Sequence, residues 1–181
     1  MHLPPIVLLF HGSRDQGHNK QAKSLAEAVG VRYAFMEIEP RFSGEGLAVP
    51  VFIADGEDYR KALKVATVKS PPLLGWPGFV DYLRRLGAEL YIFHGPDRGD
   101  VVATGLPAAF LHGEPNIETA PCVDVAAPVV LTRGYIYKKI QERYGRCRAE
   151  LLPPLAEQPE FIKYLREAIP TILKHYAPQP P

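Results

Sequence analysis

Two histidines stand at equivalent places in two copies of one sequence block. Leu8-Leu9-Phe10-His11-Gly12 returns as Tyr91-Ile92-Phe93-His94-Gly95. An imidazole near neutral pH exchanges a proton or holds a transition metal, although a His-Gly pair at a strand end also serves simply to shape a turn. Carboxylates gather at comparable places: Glu37 ends one apolar run, and Asp55-Gly56-Glu57-Asp58 follows another. In the second copy His112 occupies the place that Glu37 holds in the first. Ser13 adjoins His11, but no Gly-x-Ser-x-Gly elbow surrounds it, so a loop hydrogen bond is expected rather than a nucleophile. Arg14, Arg60, Lys61, Arg133, Lys138 and Lys139 flank these loops, either as plain surface charge or as carboxylate-binding groups at a cleft mouth. Gly12 and Gly17 lack the spacing of a dinucleotide fingerprint. His2, His18 and His175 sit in polar or terminal contexts and are expected in solvent.

What positions these side chains is a tandem duplication. Four blocks recur in order. Beyond the His-Gly block, Tyr33–Pro40 returns as Ala108–Pro115, Ala48–Leu63 as Ala126–Gln141, and Pro71–Leu86 as Pro153–Ala168. The last pair is identical at 8 of 16 positions, and the offsets are 83, 75, 78 and 82 residues. Chance does not give four matches in sequence, so one α/β unit has been duplicated. A duplicated unit commonly builds its cleft between the copies, where His11 and His94 would meet.

Within each copy the periodicities alternate. Ile6–Phe10 is a continuous apolar run, the mark of a buried parallel strand. Asn19–Val29 carries Ala22, Leu25, Ala26 and Val29 at helical spacing. Strands are predicted over 31–37 and 48–54, with a short fourth over 65–68, and helices over 57–66 and from Pro77 onward, where the missing N–H costs nothing. In the second copy strands are predicted over 108–111 and 128–131, and helices over 135–144 and 160–174. Gly95 and Ala109 are separated by 13 residues, against 21 between Gly12 and Ala34, so the helix after the first strand is shortened or lost there. The fold class expected is α/β: two tandem Rossmann-like halves, each a small parallel sheet flanked by helices, with a cleft between them. Ligands in such folds bind beyond the carboxyl ends of the strands, where His11, Glu37 and the 55–58 segment fall. The halves are taken as residues 1–88 and 89–176, with a disordered tail over 177–181.

Composition narrows the function classes. A net charge of +1 on 181 residues leaves no footprint for nucleic acid or an anionic membrane. The first apolar run is too short to span a bilayer or to act as a signal peptide, so a cytoplasmic protein is expected. Cys122 and Cys147 form no Cys-x-x-Cys pair; buried thiols are expected, with a disulfide as the alternative if the source is a hyperthermophile.

The ordered set of motifs resembles a known family. A strand followed by His11-Gly12-Ser13-Arg14-Asp15, then Ala34-Phe35-Met36-Glu37 with Pro40, then Val49-Pro50-Val51-Phe52-Ile53 with Gly56, then Pro71-Pro72-Leu73 with Gly75 and Pro77 is similar to the class II chelatases. The nearest members are the CbiX-type sirohydrochlorin cobaltochelatases of cobalamin biosynthesis. The resemblance is good over residues 5–86 and looser over the second copy. It implies a lyase-type metal chelatase that inserts a divalent metal, Co2+ before Ni2+ or Fe2+, into a carboxylate-bearing tetrapyrrole. The metal is a substrate, and no organic cofactor is expected. His11 matches the family's metal-binding histidine and Glu37 its acidic position, which makes them the catalytic candidates. The family's second histidine follows Gly-x, and here that place is Asp58; its second-copy counterpart is Ile136. The metal candidates are therefore His11, Asp58, His94 and His112, and the substrate-binding candidates Ser13, Arg14, Arg60 and Arg133. The departure at Asp58 motivates the alternatives: a relative that only binds or carries metal or tetrapyrrole, or a partner-binding protein with an empty cleft. Since one chain already holds both halves, a monomer or weak homodimer is expected.

Overall fold

The computed structural model describes residues 4–179. Strand β1 (Ile6–Phe10) is central in a parallel three-stranded sheet, flanked by β2 (Arg32–Phe35) and β3 (Leu47–Pro50). The second sheet repeats it with β4 (Leu90–Phe93) central between β5 (Ala108–Phe110) and β6 (Val125–Pro128), and adds β7 (Glu150–Leu151) at the edge. Helices α1 (Gln16–Val29), α2 (Glu57–Val65), α3 (Phe79–Arg85), α4 (Tyr135–Gly145) and α5 (Pro159–Tyr176) cover the sheets. The predicted α/β fold of two repeated halves is the fold observed.

The duplication holds at the level of single hydrogen bonds. After β2 the chain turns so that Phe35 N–H donates to Pro40 O and Phe42 N–H to Phe35 O; Phe110, Pro115 and Ile117 repeat both bonds after β5. Leu73 and Leu74 N–H donate to Phe52 and Ile53 O, as Leu155 and Ala156 donate to Val130 and Leu131 O. The helix missing from the second copy is replaced, over 94–107, by a loop with a single 3-10 turn at Val102–Thr104.

Three predicted strands are corrected. Each sheet strand stops at a proline, Pro50 or Pro128. Val51 and Val129 N–H still donate to Leu9 and Ile92 O, but residues 52–54 and 130–131, though apolar, leave the ladder and turn to line the cleft. The strand expected over 65–68 does not form. Val68 N–H donates to Ala48 O, as Leu152 N–H does to Ala126 O. The second half adds a bond from Glu150 N–H to Asp124 O. In the first half the Thr67 hydroxyl takes that place, donating to Gly46 O while it accepts from Ala48 N–H. A side chain substitutes for the backbone ladder, so the edge strand is lost.

The halves share one core. Its largest cluster runs from Leu8 and Phe35 in the first half through Phe79 and Tyr82 to Phe93, Phe161 and Ile172 in the second. Helix α5 packs on α1 of the opposite half and on α3. Phe79 and Phe161 are equivalent positions, fully buried, with ring centres 6.1 Å apart. Each contributes about 2–3 kcal/mol by burial alone, so this internal near-twofold contact holds the halves at a fixed separation. Tyr82 donates its hydroxyl to Gln158 of the other half, and burial pushes its pKa up to about 12. Tyr164, its counterpart, donates to Pro77 O.

The cysteines, expected as thiols, are instead joined: Cys122–Cys147 ties the segment before β6 to the end of α4. Ala177–Gln179 of the expected tail are described, and Ala177 packs against the core; residues 180–181 and His2 lie outside the described residues. Among the described residues no helix is long and apolar enough to cross a membrane.

Candidate functional site

The carboxyl ends of both sheets open into one cleft of about 1190 Å³. That exceeds the roughly 300–1,000 Å³ of usual small-molecule sites. Its walls are apolar, built by Val51–Ala54 of one half and Val129–Leu131 of the other, with Phe10 and Phe93 at the strand ends. Polar groups enter from the loops.

His11 leaves the end of β1 on a loop held from behind. The buried Asn19 side chain accepts from Ser13 N–H at 2.9 Å and donates to Ser13 O at 2.7 Å. Ser13 Oγ accepts from Asp15 N–H, the loop bond expected of it in place of a nucleophile's role. Gly12 has φ +88°, and a Cβ there would meet Ile38 at 2.8 Å. Gly95 repeats this with φ +73°, where a Cβ would fall 2.0 Å from His112 O. Both glycines let the histidine loop pass close against the loop from the next strand.

The histidine and carboxylate candidates converge in part. His11 Nε2 lies 3.8 Å from Asp58 Oδ2 at the start of α2. Asp58 is also near enough to His94 for its charge to favour the protonated form of that ring. The net effect on His94 is the opposite: surrounding protein and then the neighbouring His112 hold its pKa below the usual imidazole value. The shift favours the neutral ring, whose lone pair can take a proton or a metal. The His94 and His112 rings meet edge to face with centres 5.2 Å apart. His11, Ser13, Arg14, Glu37, Asp58 and His94 line the cleft; His112, Arg60 and Arg133 do not.

The arginines divide into two kinds. Arg60 is engaged by Asp55 through two bonds of 2.9 Å, which hold the Asp55 carboxyl below its usual range. Arg133 is engaged by Glu157 through two bonds of 2.9 Å and lies 4.5 Å over the Tyr137 ring. Arg14 lines the cleft and, among the described residues, has no carboxylate partner within bridging distance. So does Arg98, which sequence reading missed. Arg98 stands on the loop that replaces the lost helix, shaped by Asp97 accepting from the N–H groups of Gly99, Val101 and Val102. The shortened spacing between Gly95 and Ala109 signals the lost helix but does not single out Arg98.

His18, expected in solvent, is also in the cleft wall. Its Nδ1 lies 2.5 Å from Thr132 Oγ1 of the other half, and its Nε2 is buried without a partner among the described residues. Burial first, and the charge of His11 second, hold its pKa below 6.5. The sign follows: below about pH 6.5 the unfolded chain takes up the proton that folded His18 resists, so stability falls toward acid. Melting temperature measured between about pH 5 and 7.5 is expected to drop toward pH 5, and less steeply in His18→Gln. Equal slopes in the two proteins would contradict this.

Among the described residues no three His, Cys, Asp or Glu side chains are already arranged around a common point for a metal. The halves are nonetheless locked around the cleft. Asp55 N–H donates to Asp100 at 2.7 Å, Lys138 pairs with Asp15 at 3.3 Å, and Gln21 bridges to Arg133 and Glu157. The cleft is therefore largely preformed.

No protein-family model and no curated protein matches the chain. A solved structure does: SirB from Bacillus subtilis with Fe3+, at a TM-score of 0.61 and 15% identity, covering 92% of this chain and 94% of that one. The likeness spans both halves, and this chain has the fold of SirB.

Proposed function

We propose that this protein is a metal chelatase that inserts a divalent metal into a carboxylate-bearing tetrapyrrole of the sirohydrochlorin type, with Co2+ the favoured ion. One observation carries the reading: His11, at the family's metal-binding place, and Asp58, standing where the family has its second histidine, are 3.8 Å apart in a large apolar cleft between the halves. The likeness to a structure solved with Fe3+ supports it.

The chemistry balances on this chain's own groups. A macrocycle that accepts M2+ gives up two pyrrole N–H protons. His11 Nε2 and the Asp58 carboxylate take the metal first; imidazole and carboxylate together suit cobalt, nickel and iron. When the ion passes to the macrocycle the His11 lone pair is freed and accepts one proton. Asp58, beside it, stabilises the imidazolium. Glu37, exposed on the cleft wall, accepts the second proton. Apolar walls receive the flat ring, and Arg14 and Arg98 receive its carboxylates. The tetrapyrrole is the partner; neither nucleic acid nor membrane enters the mechanism, and the cytoplasm supplies both substrates.

Binding tests the substrate half of the reading. Sirohydrochlorin titrated into the protein without metal is expected to shift its absorbance and saturate. Arg14→Gln and Arg98→Gln are each expected to weaken affinity about tenfold, the loss of one charge-assisted contact. Arg60→Gln, whose guanidinium is already engaged, is expected to stay within about twofold. Saturable binding with equal affinity in all three variants would remove the arginine assignment, and no binding in the wild type would remove the substrate class. The carrier reading rests on Asp58 standing in place of a second imidazole, and turnover distinguishes it.

A further inference from the structure

The mechanism above leaves two histidines of the second half unused. His94 and His112 stand at the ends of the adjacent strands β4 and β5, and His112 N–H donates to His94 O at 2.9 Å. The backbone thereby fixes the two side chains relative to one another. Their counterparts in the first half are His11 and Glu37, so duplication followed by divergence has left an imidazole pair in one half only. Neither ring makes a hydrogen bond or ion pair to another described residue, and both are exposed.

The spacing is that of a shared ion. With metal–nitrogen bonds of about 2.0–2.1 Å and a near-tetrahedral angle, two imidazoles on one metal hold their ring centres roughly 5 Å apart. The observed separation is 5.2 Å. Paired imidazole ligands select cobalt, nickel, copper or zinc over magnesium and calcium. No third His, Cys, Asp or Glu completes the set among the described residues, so water fills the remaining positions. Such an ion is held loosely enough to leave. His94 lines the cleft that also holds His11 and Asp58, whereas His112 stands outside its lining.

We infer that His94 and His112 form a two-imidazole metal station at the cleft mouth, distinct from His11 and Asp58, where a divalent transition-metal ion is taken up before it moves inward to that pair. The loading role rests on the chelatase reading; the site itself does not, because it binds bare metal.

The test is a titration with Co2+ at pH 7.5, followed by calorimetry and by the ligand-field absorbance of the bound ion, with no tetrapyrrole present. His94→Gln and His112→Gln are each expected to weaken the same site at least tenfold, and the double variant no further. The double variant His11→Gln with Asp58→Asn is expected to leave that site within about threefold. Both histidines are exposed, so unchanged melting temperatures are expected and exclude a folding cause. Wild-type affinity in both His94→Gln and His112→Gln would overturn the proposal. So would loss of all Co2+ binding in the His11 and Asp58 double variant, since the two sites would then be one. Failure of the chelatase reading shows separately, as absent insertion with this site intact.

Discussion

Replacing His11 with alanine is expected to lower the rate of metal insertion into sirohydrochlorin by about 100- to 1,000-fold, the range lost with a positioned proton-transfer group. The side chain has two duties in sequence, holding the metal and then taking a pyrrole proton, and alanine performs neither. Its loop is anchored by Asn19 and Ser13 through bonds that do not involve the imidazole. The fold should therefore survive, and circular dichroism and melting temperature should match the wild type. The loss belongs in turnover, not in tetrapyrrole affinity, because the ring is held by the apolar walls and the free arginines. Asp58→Ala, which leaves His11 in place, is expected to cost less. A His11→Ala rate within threefold of the wild type would remove His11 from the mechanism.

The second large effect concerns stability. Cys122–Cys147 closes a loop of 25 residues in the second half. By loop-closure entropy such a cross-link stabilises the folded state by about 3 kcal/mol. For a chain of this length that corresponds to roughly 6–12 °C in melting temperature. Reduction with dithiothreitol, or replacement of both cysteines by serine, is expected to lower the transition by that amount. Cys147 also receives the Arg143 guanidinium at 2.9 Å, and Arg143 donates to Ile117 and Ala120 O, so the bridge and the arginine brace one corner together. The cleft residues lie elsewhere, and insertion at 25 °C should be retained. A reduced protein melting within 2 °C of the oxidised one would contradict this account.

Much of this arrangement was legible in the sequence because duplication writes itself twice. The matched His11 and His94, the paired turns after Phe35 and Phe110, and the matched Phe79 and Phe161 follow from four blocks in register. The cleft follows from two repeated sheets whose carboxyl ends face one another. The nearness of His11 to Asp58 follows from the adjacent carboxyl ends of the parallel strands β1 and β3. What escaped depends on contacts between distant segments. His18 reads as a polar residue in the first turn of a helix; only the docking of the Thr132 loop encloses it. Arg60 and Arg133 read as free cations at loop ends. Glu157, 24 residues from Arg133, becomes its partner only through the fold; the pairing of Arg60 with Asp55, five residues away, is the local exception. Arg98 belongs to a segment with no counterpart in the first half, so the repeat offered no guide to it. The missing edge strand turned on a single hydroxyl, Thr67, that competes with the backbone for Gly46 O. Pairing of Cys122 with Cys147 is likewise a matter of where α4 ends, which spacing alone does not fix.

The central claim is turnover. Sirohydrochlorin is incubated with Co2+ in excess and the absorbance of the metallated product is followed with and without the protein, at catalytic rather than stoichiometric concentration. An initial rate well above the spontaneous one and proportional to enzyme is expected, with many products formed per chain. A rate no greater than buffer with Co2+, Ni2+ and Fe2+ alike, in protein that still binds the tetrapyrrole, would contradict the claim and leave a carrier in its place.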